Sequence, residues 1–243
     1  MFKYLVICCG IALLMSVRTV WAGNSEVVLY TNTNGMFSYS TRGNEWEHRA
    51  EYVTGTAVQM VKDIFQAASV NYELKLRNLT VGLERAKAKA NTGYLAASKD
   101  AELSNDYLWI GPIARDYWAF YAKRDSDVRV DSLNDLRGLK IGGHRNSPVT
   151  KFLQEKGIAV RTEKEDYVNP YRLNYDLIDI WATTRGSSFK LAFESGYPEI
   201  MEVYRLDSYI ELYLALNKNT DKKVVRKLTD AYHEMILHGR RWY

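Results

Sequence analysis

Cysteine is almost missing from this 243-residue chain: Cys8 and Cys9 stand side by side near its start, and none follows. Residues 23–243 can therefore hold neither a disulfide framework nor a thiol nucleophile. Histidine is scarce as well. His48, His144, His233 and His238 are scattered, without the spacing of a metal-binding pair and without a serine and carboxylate arranged as a nucleophilic triad. Glu84 is a lone acid in a run of helix formers, and with no partner it reads as a surface charge. No block of like charge stands out and the formal net charge is only +4, which gives a nucleic-acid backbone nothing to hold. The apolar run Leu5 to Met15 falls short of the roughly 20 residues a membrane span needs, and Arg18 blocks its extension. There is no internal repeat and no low-complexity linker.

What is present begins with a secretion signal over residues 1–22: Lys3, the apolar run, then the small-residue cleavage pattern ending at Ala22. The cysteines lie inside it, and Ile7 before Cys8 does not fit a lipoprotein cleavage site. The expected product is soluble and periplasmic. Its length suits two lobes sharing one chain.

The pattern along the chain supports that division. Glu26 to Thr31 reads as a strand, Asn32 to Gly55 as a long polar loop, and Thr56 to Ala68 as a helix with Val58, Val61, Ile64 and Phe65 on one side. A strand at Tyr72 to Leu76, a helix at Leu83 to Ala90 and a strand at Tyr94 to Ala97 complete a β-α-β-α-β order, the signature of a parallel sheet flanked by helices. Gly111-Pro112 punctuates the next apolar passage before a strand at Trp118 to Ala122, and we read a first crossing between lobes there. A short helix at Leu133 to Leu139, a strand at Lys140 to Gly143 and a helix from Pro148 to Lys156 follow, the last with Ser147 at its N-cap. A strand at Ile158 to Arg161, a helical stretch near Tyr171 to Leu177 and the apolar run Leu177 to Ala182 come next. Met201 to Leu206 is a further strand, the strand Tyr209 to Leu216 carries the return crossing, and an amphipathic helix spans Lys222 to His238.

Four passages resemble the bacterial extracellular solute-binding proteins of family 3: Thr56 to Ala68, Trp109 to Tyr121, Ser132 to Gly142, and Asp176 to Thr184. The third carries the most specific string, Ser-Leu-x-Asp-Leu-x-Gly-x-x-Ile-Gly, followed by Leu153 and Gly157. The resemblance implies an α/β fold of the type II periplasmic binding protein kind, two α/β lobes joined by two hinge crossings. It places lobe one at residues 23–114 and 210–243, and lobe two at residues 115–209. It implies a small-molecule ligand held between the lobes, delivery to an ABC permease or a membrane sensor, a monomeric protein and no cofactor. Relatives on this fold include cyclohexadienyl dehydratases and regulatory modules of lytic transglycosylases, which keeps a dehydratase-like enzyme and a sensory accessory protein as alternatives to transport.

The same resemblance implies where ligand contacts fall. Members that bind amino acids hold the carboxylate with an Arg and the ammonium with an Asp, because a zwitterion leaving water needs charge-assisted hydrogen bonds. Here those positions fall on Leu103 or Ser104 and on Thr184, and the covering aromatic falls near Leu83. An ordinary α-amino acid is therefore not the expected ligand. The remaining candidates are Ser98 at a strand end, Asn146 and Ser147 before a helix, and Thr183, Thr184 and Arg185 after the apolar run. Tyr107, Trp109, Arg115 and Trp118 cluster at the first crossing, with Tyr117 beside them; rings there can stack on a ligand or merely pack the lobe interface. Arg115 can reach a ligand or Asp116. Asp179 lies in the apolar run as a structural residue.

Overall fold

The computed structural model describes residues 27–99, 105–145 and 147–240. The first part is built on β1 (Val27–Thr31), a short pair β2 (Tyr39–Ser40) and β3 (Val53–Thr54), α1 (Thr56–Ala67), β4 (Tyr72–Leu76), α2 (Leu79–Ala88) and β5 (Thr92–Ser98). β1 runs parallel to both β4 and β5, with Val27 opposite Tyr72 and Thr31 opposite Leu76. α1 forms because Val58, Val61, Ile64 and Phe65 recur on one face, and all four are buried. α2 starts earlier than its composition suggests, since the Asn78 side chain accepts the Val81 N–H at 2.8 Å and caps it.

One long strand, β6 (Tyr107–Lys123), then leaves this part. Beyond it lie β7 (Ile141–His144), α3 (Pro148–Glu155), β8 (Val160–Glu163), α4 (Val168–Asn174), β9 (Ile180–Thr184) and α5 (Arg185–Glu194). A second long strand, β10 (Ile200–Asn217), comes back, and α6 (Lys222–Leu237) closes the chain. The eight-stranded sheet has the order β4-β1-β5-β10-β6-β9-β7-β8, with β10 antiparallel to β5 and β6, and β7 parallel to β8 and β9.

The predicted breaks inside the crossings are bulges in continuous strands. Leu212 pairs with Ala114 and Leu214 with Ile110, so Gly111, Pro112 and Ile113 stand opposite Tyr213 alone. A bulge tolerates Pro112, which has no N–H for the ladder. Arg205 pairs with Ala119 and Tyr209 with Tyr117, so Leu206, Asp207 and Ser208 stand opposite Trp118. That second bulge interrupts the alternation and makes one strand read as two.

The hydrophobic interior divides along the same line. One group joins Val27, Leu29, Val61, Phe65 and Leu95 to Ile110, Leu214, Leu228 and Tyr232, with a satellite around Tyr94 and Tyr107. The other joins Phe120, Leu136, Ile141, Leu153 and Ile180, with a satellite around Tyr121 and Trp181. Each α/β lobe has its own core, and the sheet strands β6 and β10 pass through both.

A candidate ligand site where the lobes meet

The parallel strands of the first lobe end at Thr31, Leu76 and Ser98, and those of the second at His144 and Thr184. Ligands on open α/β sheets bind outside such carboxyl ends. In the first lobe the chain leaving β1 is fastened down. Thr31 Oγ1 lies 3.1 Å from both Ser38 Oγ and the Leu95 carbonyl, Ser38 donates to the Asn32 carbonyl at 2.6 Å, and Tyr94 donates to Asn32 Oδ1 at 2.6 Å. The Met36 and Phe37 carbonyls accept N–H groups of Thr56 and Val58 in the first turn of α1.

Held this way, the same loop reaches the start of α5 in the second lobe. Met36 N–H donates to the Gly186 carbonyl at 3.1 Å, and Gly186 N–H donates to Asp116 Oδ1 at 2.8 Å. Gly35 and Gly186 leave no room for side chains. A Cβ on Gly35 would stand 1.6 Å from the Gly186 oxygen, and one on Gly186 would stand 2.1 Å from the Phe37 ring. Asp116 is 7% exposed. Burial pushes its carboxyl above the ordinary carboxylate range, and the Gly186 N–H and the Thr184 hydroxyl pull against that shift.

Beside this contact lies a cavity of about 420 Å³. Met36, Tyr39 and Glu45 line it from the first lobe, and Arg185, Phe189 and Lys190 line it from α5. Of the residues singled out in the sequence, only Arg185 lies on it, with Nε 3.5 Å from Glu202 Oε2. Ser98 is exposed at the end of β5. Tyr107 is buried and donates to the Leu83 carbonyl at 2.9 Å, and Trp109 stands edge-on to Tyr107 and Tyr213. Trp118 tilts against Phe152 at 5.4 Å, its buried Nε1 having no hydrogen-bond partner among the described residues. Thr183 donates to Asp166 Oδ2 at 3.0 Å, and the Thr184 hydroxyl lies 3.3 Å from Ser187 Oγ. Ser147 caps α3, accepting the Thr150 N–H at 3.3 Å. Asn146, Leu103, Ser104 and residues 1–22 lie outside the described residues.

Arg115 does not reach Asp116. Adjacent residues of a strand point to opposite faces, and Arg115 turns to Glu211 Oε1 at 3.2 Å and to the Tyr209 ring at 4.4 Å. Tyr213 donates to the other oxygen of Glu211 at 2.6 Å. Asp179, in the predicted structural role, accepts the Lys140 N–H at 2.7 Å. Reasoning from sequence missed Asp116 as the partner of Gly186, and although it placed a loop from Asn32 onward it missed that residues 32–37 reach the second lobe. The loop's one signal is the apolar pair Met36-Phe37 set behind a glycine in a polar stretch. Among the described residues no cluster of three metal-ligating side chains occurs, and no helix is long and apolar enough to cross a membrane.

No family model matches the chain, and no curated protein matches it in sequence. Solved structures do match in fold. The second substrate-binding domain of Lactococcus lactis GlnP, in its open conformation, superposes with a TM-score of 0.70 at 13% identity, covering 88% of this chain and 90% of that one. The unliganded, open L-cystine solute receptor of Neisseria gonorrhoeae gives 0.67 at 16% identity, covering 88% of each chain. A histidine kinase sensor domain described as similar to periplasmic binding proteins gives 0.61 at 16% identity, covering 88% of this chain and 91% of that one. These neighbours agree with the resemblance read from the sequence, and at such identities what they establish is the architecture: the chain has the two-lobed fold of periplasmic binding proteins.

Proposed function

We propose that this chain is an exported, periplasmic solute-binding protein that closes two lobes around a small polar or aromatic-compatible metabolite and passes it to an ABC-type permease. The observation that carries the reading is the pairing of a two-strand hinge, β6 and β10, with a contact that exists only when the lobes meet, Met36 to Gly186. Closure of this kind is driven by contacts made to both lobes at once. The two groups of core residues support lobe boundaries near 114/115 and 209/210. Binding proteins among the structural neighbours support capture over catalysis. Thr184, where relatives carry the ammonium-binding acid, supports a ligand other than an ordinary α-amino acid; its hydroxyl is engaged by Asp116 and Ser187.

A second reading, a sensory protein that hands its closed state to a membrane kinase, is favoured by the likeness to a histidine kinase sensor domain. Thermal-shift screening against a metabolite library tests capture, since native-state binding raises the melting temperature by mass action. One chemical class should raise it; a strong hit among the twenty common amino acids would refute the exclusion of that class. Permease and ATPase genes beside this one would support transport, and a kinase gene would support sensing.

A further inference from the structure

We propose that the cavity between the Thr33 to Glu45 segment and α5 is the ligand site, and that it takes a small organic cation: an ammonium group on an aromatic or branched apolar body. The inference rests on the binding-protein reading and deepens it. Size comes first. About 420 Å³ lies at the lower end of the range for metabolite sites, too small for a peptide or an oligosaccharide chain.

The lining is apolar where it is widest. Met36 is 39% exposed, Tyr39 40% and Phe189 52%, so three large apolar side chains face this one space while most of their kind are buried. Phe189 meets Tyr121 at 5.6 Å with the rings at 83°, and about half of its surface stays exposed where it lines the cavity. Aromatic faces and a thioether are the groups that accept a cation and its hydrocarbon body together.

Charge selects the sign. Two cations line the cavity, and both have carboxylate partners within the protein: Lys190 pairs with Glu194 one helical turn on, and Arg185 pairs with Glu202, which Arg205 shares at 3.5 Å. The lining acid Glu45 has no ion pair among the described residues. A ligand entering here meets an uncompensated carboxylate beside open rings. An anion drawn to Arg185 or Lys190 would compete with Glu202 or Glu194 and would still face Glu45. Because the walls come from both lobes, a bound cation would also bridge Glu45 on one side to Phe189 on the other.

Calorimetric titration of the full chain with tyramine, phenethylamine and choline tests this, with 3-phenylpropionate as the anionic counterpart. At least one cation should bind and the carboxylate should not. Glu45→Gln and Phe189→Ala should each weaken the bound cation at least fivefold with the melting temperature unchanged, while Phe193→Ala, 74% exposed on the same helix and away from the cavity, should leave it unaltered. Affinity should fall as salt is raised, because Glu45 is solvent-accessible. Binding of 3-phenylpropionate as tight as that of the amines, or amine binding indifferent to Glu45→Gln, overturns the proposal. If none of the three cations binds but the library yields another ligand untouched by both variants, the cation site falls and the binding reading stands. If no compound in the library binds, both fall.

Discussion

Alanine in place of Gly35 sets a Cβ 1.6 Å from the Gly186 oxygen, 2.5 Å from its carbon and 3.2 Å from the Ser187 nitrogen. All three are backbone atoms of the second lobe, so no side chain can turn aside to make room. Two costs follow. Gly35 has a φ of +49°, in the left-handed region, where alanine costs about 1–2 kcal/mol. The clash also forces loop and helix apart and breaks the Met36 to Gly186 hydrogen bond, worth about 0.5–1.5 kcal/mol. Only the second cost acts on closure, and at about 1.4 kcal/mol per tenfold it shifts the balance of closed over open forms by roughly twofold to tenfold. Gly43 separates the two effects, since it has a φ of +70° and a Cβ added there would meet nothing within 4 Å. Small-angle scattering should show a larger radius of gyration for Gly35→Ala than for the parent, and no change for Gly43→Ala, although both lose melting temperature. If the Gly35→Ala profile superposes on the parent profile, the loop does not hold the second lobe in solution and the closing contact is refuted.

Asp116→Asn keeps an oxygen for the Gly186 N–H and removes a buried charge. The folded carboxyl keeps its proton to a higher pH than the unfolded one, so from the ordinary value of 3.8 up through the raised value the folded state binds more protons and stability falls as pH rises. Denaturant melts across pH 3–7 should show that downward slope flattened in the variant; an unchanged curve would mean that Asp116 is not shifted. Ser147→Ala removes the cap of α3 and should cost about 0.5–2 kcal/mol in urea unfolding. It should leave ligand affinity alone, and a tenfold loss of affinity would place Ser147 in the site after all.

The fold was largely legible where periodicity and capping agree. α1 shows its buried stripe in the sequence, Ser147 with Pro148 marks α3, and the order around β1, β4 and β5 signals parallel pairing. α5 was illegible because its pattern is inverted. Gly186, Ser188 and Ala192 face inward against the sheet while Phe189 and Phe193 face solvent, so no apolar stripe announces a helix. The candidate site was less legible for a related reason. Its walls are a loop without periodicity and the outer face of that inverted helix, and the closing contact depends on two glycines 151 positions apart that only the folded chain brings together. The rings at the first crossing were conspicuous in the sequence, yet Tyr107 and Trp109 serve the first-lobe core and Trp118 leans on α3.

The helix that ends the described chain fills the core that β1 opens: Val224, Leu228, Ala231 and Tyr232 pack in the same group as Val27 and Leu29. That core cannot be completed until residues 224–232 have been made, whereas Phe120, Leu136, Leu153 and Ile180 come from one unbroken stretch. Bringing distant segments together carries a loop-closure cost that neighbouring segments avoid. Refolding should therefore show the stretch around Phe120 to Ile180 gaining hydrogen-exchange protection first, with the segments on either side of it, which share the other core, joining in a slower step.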